Sequence, residues 1–246
     1  MSSSPPAVLA FAASDPTGGA GLQADVLTIA SLGCHPLSVL TGLTVQDTRG
    51  VESLLAMEPA WVASQARGVL GSAANIGAIA ELARAYPDIP LILDPVLASG
   101  RGDALASEEM VRALREQIVP CSTIVTPNSL EAQRLGGAHA LLDLGCDYVL
   151  VTGTHQPGAE VINTLHGKAG IIRQDRWPRL PGTYHGSGCT LASAIAAFIA
   201  KGLDVAHAVR NAQEFTWNAL RGGFKPGAGQ LLPDRFFSAR EAKVRK

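Results

Sequence analysis

Charged residues make up only 17% of this 246-residue chain and aromatic residues only 5%. Lysine and arginine number 20, against 21 aspartate and glutamate residues, so that the formal net charge is −1. This balance excludes a polycation that coats nucleic acid, and it excludes an acidic disordered chain. We therefore expect a folded protein with no nucleic-acid partner.

Long hydrophobic runs are also missing. The longest run, Leu191 to Ala200, is interrupted by Ser193 and is about half of the ~20 residues that cross a bilayer. Residues 1–6 carry no positive charge ahead of an apolar stretch, unlike a secretory signal. Four cysteines without metal-ligand spacing are typical of a reducing compartment. These features predict a cytoplasmic protein with no membrane partner.

Two common catalytic signatures are absent as well. The sequence has no G-x-x-x-x-G-K-[ST] motif, which excludes a P-loop as the phosphate cradle, and no G-x-S-x-G motif, which excludes a serine-hydrolase elbow.

What the chain does have is an alternation of two patterns. Short apolar runs predict strands at 7–13, 36–45, 91–93, 123–125 and 148–151, and helical spacing predicts helices at 21–32, 59–70, 79–86, 107–118 and 129–135. A hairpin at 161–165 and 170–173 and helices at 188–201 and 205–220 follow. The alternation predicts a single α/β domain over residues 1–246, with a mostly parallel sheet between helices. Residues 1–6 and about 238–246 are expected to be flexible tails.

A glycine cluster, His185-Gly186-Ser187-Gly188-Cys189, precedes a helix of small residues. Glycines there let an anion approach the backbone N–H groups, and the helix dipole favours negative charge. The same field would stabilise a thiolate at Cys189, which could then act as a base or a nucleophile. The alternative is that Cys189 is a small buried residue and the glycines only allow close helix packing.

Polar residues follow other predicted strands, where ligands bind in sheets of this kind. Asn128 and Glu131 share one helical face and could hold a hydrated Mg²⁺ near phosphates, or they could simply cap the helix. Asp94 follows a strand but could belong to an ordinary turn. Gln46, also at a strand end, has the donor and the acceptor needed to bind a ring edge.

The other glycine cluster, at 15–21, lies between a strand and a helix. Its Gly19-Ala20-Gly21 stretch fits a loose dinucleotide fingerprint, but the acidic ribose partner expected about 20 residues later is missing. A tight turn without a ligand is the simpler interpretation.

Five segments in this order resemble the hydroxymethylpyrimidine/phosphomethylpyrimidine kinases of thiamine biosynthesis, in the ribokinase-like superfamily. They are Ala13 to Asp25, Leu43 to Thr48, Asp94 to Val96, Thr126 to Ala132 and His185 to Ile195. The resemblance implies a ribokinase-like three-layer sandwich. It also implies two successive phosphorylations by ATP and Mg²⁺, of the pyrimidine alcohol and then of its monophosphate.

The resemblance assigns roles to matched positions. Gln46, Ala20, Val96 and Asp25 would bind the pyrimidine. Residues Gly186, Ser187 and Gly188 would form the anion hole, with Cys189 as the base that deprotonates the hydroxymethyl group. The nucleotide phosphates would be bound by four residues: Asn128, Glu131, Asp94 and Thr152. Of these, Asn128 and Glu131 would act through a hydrated Mg²⁺.

The chain departs from the family pattern in three places. About a dozen residues, including a strand, are expected after Leu70, and a loop with part of a helix is expected near Gly136; both are absent from the sequence. We expect that these residues belong to the protein and are missing from this numbering. Thr152 stands where many members have lysine, which removes a possible phosphate contact.

Other functions remain open. The nearest is a pyridoxal kinase of the same superfamily. From other classes, a Cys189-dependent hydrolase or acyltransferase would work without ATP, and a pyrimidine-binding regulator would not need Cys189. The resemblance further implies a homodimer.

Overall fold

The structure, a computed structural model, describes residues 4–66, 73–98 and 106–244. Its strands are β1 (Ala7–Ser14), β2 (His35–Gln46), β3 (Val51–Ala56), β4 (Ile92–Leu93), β5 (Ile124–Val125), β6 (Tyr148–Val151), β7 (Glu160–Gly167) and β8 (Gly170–Pro178). Its helices are α1 (Gly21–Ser31), α2 (Pro59–Ala66), α3 (Ala73–Ala85), α4 (Glu108–Ala113), α5 (Ser129–Arg134), α6 (Ala138–Asp143), α7 (Ser187–Ala200), α8 (Val205–Arg221) and α9 (Phe237–Val244). α4 continues into a π-helical turn, Leu114–Ile118.

The strands form two sheets in the part of the chain that the structure describes. One has the order β1-β2-β3 and the other the order β4-β5-β6-β7-β8. β1 and β2 are parallel, as are β4, β5 and β6, whereas β3, β7 and β8 join their neighbours in antiparallel pairs. The parallel strands are those expected from the strand–helix alternation, and the hairpin β7–β8 is the one predicted.

Helices cover both faces of the larger sheet. Val125 and Val149 belong to a core cluster with residues of α3 and of the π-helical turn, whereas Ile124 and Leu150 belong to a cluster with residues of α7 and α8. Neighbouring strand residues point to opposite faces, so this sheet lies between two helical layers. The α/β class with helices on both faces is therefore confirmed.

The structure adds elements that the sequence patterns did not predict. β3 and α6 were both missed, and residues of the segment expected as a flexible tail from about 238 belong to α9. Phe237, the first residue of α9, packs on Phe215, with ring centroids 5.5 Å apart, and Arg240 pairs with Asp234 at 3.1 Å. Residues 1–3 and the junction after Leu70 lie outside the described residues.

No helix within the described ranges is long and apolar enough to cross a membrane.

Candidate active site

The expected site residues lie in loops at the carboxyl ends of strands from both sheets. β1 ends at Ser14 and leads into the loop of residues 15–20, while Asp94, Asn128 and Thr152 follow β4, β5 and β6. α7 contacts α1, β1 and β4, so its first turn reaches the ends of both sheets. The helix therefore positions the 185–188 loop between residues from the two halves of the fold.

The 15–20 loop is folded around the carboxylate of Asp15. Asp15 Oδ1 accepts hydrogen bonds from the backbone N–H of Thr17 at 2.9 Å and from its hydroxyl at 2.8 Å, and Oδ2 accepts from the N–H of Ala20 at 2.7 Å. His185 Nε2 lies 2.9 Å from Oδ2. Burial raises the pKa of Asp15, but these hydrogen bonds, that of His185 foremost, outweigh burial and lower it. Asp15 is therefore a carboxylate that joins the two glycine loops.

The two glycine loops are in direct contact. Gly186 precedes the first residue of α7 with a φ of 82°, and a Cβ on it would stand 1.7 Å from the carbonyl oxygen of Gly19. A Cβ on Gly19 would in turn lie 2.4 Å from the His185 ring. Both positions require glycine, because any side chain would separate the loops. The 15–20 loop, called the substrate loop below because the resemblance places Ala20 in the pyrimidine pocket, thus forms one unit with the predicted anion hole.

Cys189 lies in the first turn of α7 beside two carboxyl groups. Asp94 is close enough to interact with the Cys189 thiol, and the backbone N–H of Gly21 is close enough to interact with its sulfur. Asp94 also approaches the anion hole, because a Cβ on Gly188 would lie 3.4 Å from Asp94 Oδ2. The structure therefore brings together residues 186–189, Asp94 and the start of α1.

The acidic groups of this cluster have raised pKa values. Burial raises the pKa of Asp94 to about 8, with contributions from Glu131 and Asp25, and burial raises the pKa of Asp25 to about 7 although Ser193 donates to it at 2.6 Å. Burial also raises the pKa of Cys189 well above its usual range, and both aspartates add to this effect. The thiolate expected from the helix field is therefore not the state of the ligand-free protein. Cys189 is a thiol there.

Asn128 and Glu131 form a capping box at the start of α5. Asn128 Oδ1 accepts from the N–H groups of Leu130 and Glu131, each at 3.0 Å, and Glu131 Oε2 accepts from the N–H of Asn128 at 3.0 Å. Glu131 Oε1 accepts from the N–H of Leu97 at 3.1 Å. The capping alternative is confirmed as the local role of this pair.

The capping box keeps atoms that can bind phosphate or a phosphate-bound cation. Each oxygen of Glu131 keeps a lone pair, whereas Asn128 Oδ1 is already shared by two donors, leaving its NH₂ group for a phosphate. Burial raises the pKa of Glu131, and Asp94 is close enough for the two charges to interact. A cation would relieve this repulsion.

The described residues contain no group of three His, Cys, Asp or Glu that could hold a metal alone, so Mg²⁺ would also need phosphate oxygens and water. Thr152, which follows β6, forms a parallel β-bridge with Asn128.

Gln46 belongs to a chain of hydrogen bonds that links the ends of β1 and β2. Its Nε2 donates to the Thr44 hydroxyl at 2.7 Å, which in turn donates to the Ser14 carbonyl at 2.7 Å. Val96 is exposed to solvent. Ala20, the residue before α1, is partly exposed. Gln46 is therefore held in place on one side and keeps its carbonyl oxygen for another partner.

The sequence analysis missed one charged residue of the site. Arg235 is 3% exposed and donates to Thr190 Oγ1 at 3.1 Å, to the Gly18 carbonyl at 3.1 Å and to the Gly19 carbonyl. It lies in a glycine- and proline-rich segment in which no pattern distinguishes a buried arginine from an exposed one. Only the fold places it beside residues more than 200 positions earlier in the chain.

A sequence model of the phosphomethylpyrimidine kinase family matches residues 15–234. The chain belongs to this family. It is therefore a kinase, and the recognition drawn from the five segments is confirmed. The match includes both glycine loops and every residue to which the resemblance assigned a role.

Relatives of this kinase cover nearly its whole length. The hydroxymethylpyrimidine/phosphomethylpyrimidine kinase of Streptomyces coelicolor is 37% identical over 254 residues, which cover 92% of either chain. The protein of the same name from Escherichia coli K12 is 34% identical, over 86% of this kinase and 90% of that protein. The alignment with the Streptomyces protein is longer than the 246 residues of this kinase, so that relative contains residues that this chain lacks.

Solved structures agree on the fold. The phosphomethylpyrimidine kinase of Clostridium difficile 630 is 30% identical and superposes with a TM-score of 0.74 over 87% of this kinase and 99% of that chain. The pyridoxal kinase of Staphylococcus aureus superposes with a TM-score of 0.87 over 97% of this kinase and 96% of that chain, at 24% identity. It has been solved with AMP-PCP and with ADP. The ribokinase-like fold is thus confirmed.

Proposed function

We propose that this kinase transfers the γ-phosphoryl group of ATP to 4-amino-5-hydroxymethyl-2-methylpyrimidine, and then a second one to the resulting monophosphate, in thiamine biosynthesis. The family and the names of its relatives support this substrate class. The observation that carries the proposal is the position of Cys189, which lies in the first turn of α7 next to the glycine loop and close enough to Asp94 to interact with it.

Cys189 and Asp94 would remove the hydroxyl proton together. The raised pKa of the thiol disfavours a free thiolate. We therefore propose that the substrate hydroxyl gives its proton to Sγ while the thiol proton moves to Asp94 in its ionised form, which at a pKa of about 8 is about a tenth of the molecules near pH 7. The alcohol oxygen then bonds to phosphorus as the bond to the leaving nucleotide breaks. Each proton moves to a neighbouring acceptor, so the cluster gains no unpaired charge.

The backbone of the 186–188 loop would stabilise the migrating phosphoryl group. Its N–H groups lie at the start of a 14-residue helix, where the dipole and the unpaired amides favour negative charge. Donors fixed by the contact between Gly186 and Gly19 need no reorganisation when charge develops, which is the largest contribution in many such sites.

Mg²⁺ and the nucleotide phosphates would bind beside this loop. Glu131 would hold the cation through water, with Asp94 close by, and Asn128 and Thr152 would contact phosphate oxygens. When bound, Mg²⁺ would neutralise part of the phosphate charge. Gln46, Ala20, Val96 and Asp25 would line the pyrimidine pocket, with Gln46 hydrogen-bonded to the aminopyrimidine edge.

We further propose that the kinase acts in the cytoplasm as a homodimer. Leu43, Val45 and Leu55 support this assignment: they lie on one face of the β2–β3 pair, with Leu43 directly opposite Leu55, and each is 44% exposed or more. An exposed apolar strand face of this kind promotes association, and it is suited to pack against a second copy of the chain.

A pyridoxal kinase activity is the second candidate, because the superposition with the Staphylococcus pyridoxal kinase has the higher TM-score of the two reported. An assay of ATP consumption with the pyrimidine alcohol, its monophosphate and pyridoxal as alternative acceptors tests both assignments. We expect kcat/KM for the pyrimidine alcohol to exceed that for pyridoxal. Turnover of pyridoxal alone would overturn the first assignment and support the second.

A further inference from the structure

Arg235 connects the carboxyl-terminal segment to both glycine loops. Its Nε donates to Thr190 Oγ1, and its two terminal nitrogens donate to the carbonyl oxygens of Gly18 and Gly19. Thr190 in turn donates to the Gly186 carbonyl at 2.8 Å. One guanidinium group therefore holds the substrate loop on one side and the first turn of α7 on the other.

The Gly19 carbonyl is the central contact in this arrangement. It accepts from Arg235 and also lies against the Cα of Gly186, where no Cβ can fit. A shift of this carbonyl therefore displaces Gly186, which carries the first amide of the predicted anion hole. Because an arginine fork binds in a fixed plane, it fixes the orientation of both carbonyls as well as their distance.

Arg235 also brings positive charge into an acidic region. The charged and titratable groups that face it are Asp15 from the 15–20 loop, Asp25 from α1 and Cys189 from α7. Beyond these, Asp94 interacts with Cys189 and with Glu131, and His185 lies beside Asp15. Asp234, its neighbour in sequence, is paired with Arg240. The guanidinium thus offsets carboxylates next to a loop that has to attract phosphate.

The segment that carries Arg235 is attached independently of the guanidinium. The N–H of Asp234 donates to the Ala219 carbonyl at 2.8 Å, and Leu231 and Leu232 pair with the backbone of Thr183 and Phe224. The hydrogen bonds of Arg235 are directed to the two loops.

We propose that Arg235 is a positioning residue for phosphoryl transfer, holding the Gly19 carbonyl against Gly186 so that the amides of the 186–188 loop keep their orientation. The inference rests on the proposed function for the reaction that benefits, but the contact itself does not depend on the substrate.

The experiment compares Arg235→Met and Arg235→Lys with the parent and with Arg173→Met. Arg173 is a control because, like Arg235, it donates to a backbone carbonyl, that of Ala206, and its other partner is the Asp175 carboxylate; it contacts neither glycine loop. Hydrogen–deuterium exchange is measured in peptides covering residues 15–21 and 183–190. Steady-state kinetics with the pyrimidine alcohol and ATP are measured on the same samples, with thermal unfolding to establish that each is folded.

In Arg235→Met we expect exchange in both peptides to rise roughly tenfold. We also expect kcat to fall roughly 100-fold while the KM for ATP stays within about twofold, since a contact that orients the transition state affects kcat most. Arg235→Lys retains the charge and one donor direction, so it should recover part of kcat. Arg173→Met should match the parent in both measurements.

The outcomes separate this inference from the proposed function. Unchanged exchange and unchanged kcat in folded Arg235→Met overturn the inference, and so does a loss of kcat in Arg173→Met equal to that in Arg235→Met. If Arg235→Met does not fold, Arg235→Lys decides: parental kcat and exchange in that variant overturn the inference. A parent without turnover of the pyrimidine removes the proposed function, whereas faster exchange confined to the two loops still supports the contact.

Discussion

The Gly186 Cα rests against the Gly19 carbonyl so closely that a Cβ would stand 1.7 Å from its oxygen, although the two residues are 167 positions apart. This contact joins the substrate loop to the predicted anion hole. It also explains why both clusters are rich in glycine, which the sequence motifs alone do not explain.

Replacing Gly186 with alanine tests this contact. Gly186→Ala should unfold at a lower temperature and lose activity, because both a positive φ of 82° and a backbone clash oppose the methyl group. Gly202→Ala is the matched control: its φ is 91° and nothing lies within 4 Å of the added Cβ, so it should cost only about 1 kcal/mol of backbone strain. Denaturant unfolding measures both. Equal losses in the two variants would show that the loops do not touch.

The amide of Gln46 is expected to bind the substrate ring. Gln46→Ala should raise the KM for the pyrimidine alcohol roughly tenfold, as expected for one or two lost hydrogen bonds, and should leave kcat within about threefold. Gln174→Ala removes an exposed glutamine of β8 and should change neither constant. Initial rates over a range of pyrimidine concentrations give kcat and KM for both variants. A fall in kcat without a change in KM in Gln46→Ala would contradict the assignment.

Much of this arrangement could be predicted from the sequence, because it depends on local patterns. Apolar runs located β1, β5 and β6, and the Asn128-to-Glu131 spacing predicted the capping box as an alternative. β3 was missed because Val51–Ala56 lies on a sheet edge with five of its six residues exposed, so no burial pattern marks it. α9 was missed because its anchor, Phe237, packs on an aromatic ring of another helix.

Long-range contacts account for the rest. Arg235 and the Asp15–His185 pair join residues about 170 to 217 positions apart, and no local periodicity contains such pairs. The pKa of Cys189 could not be predicted for the same reason. The helix N-terminus predicts a thiolate, but burial raises the pKa of Cys189 instead, and the charges of Asp94 and Asp25, from distant parts of the chain, add to this effect.

The raised pKa of Asp94 makes stability depend on pH. This carboxyl has a pKa of about 8 when folded against about 3.9 when unfolded, so the folded state binds the extra proton between these values. Stability should therefore fall as pH rises from about 4 to about 8, by at most about 1.4 kcal/mol per pH unit from this group. Thermal unfolding of the ligand-free kinase measures the trend. Asp94→Asn should make the slope smaller and leave the part that Asp25, with its pKa of about 7, contributes; an unchanged slope in that variant would contradict the account.

The apolar face of β2 and β3 is expected to form the dimer interface. Leu55→Glu should yield a monomer in sedimentation or light-scattering measurements, because a charge cannot be buried there unpaired. Ile171→Glu is the matched control, because Ile171 is equally exposed, at 64% against 66%, but lies on β8. Dimers in both variants, or monomers in the parent, would contradict the homodimer.

The central claim is that Cys189 takes the hydroxyl proton beside the glycine loop. Its most direct test is single-turnover phosphorylation of the pyrimidine alcohol by the parent and Cys189→Ala, with pyrimidine binding measured by calorimetry on the same samples. We predict that Cys189→Ala lowers the phosphorylation rate by about 100-fold or more and leaves the dissociation constant of the pyrimidine within about threefold. A Cys189→Ala variant that phosphorylates the alcohol at the parental rate would contradict the account.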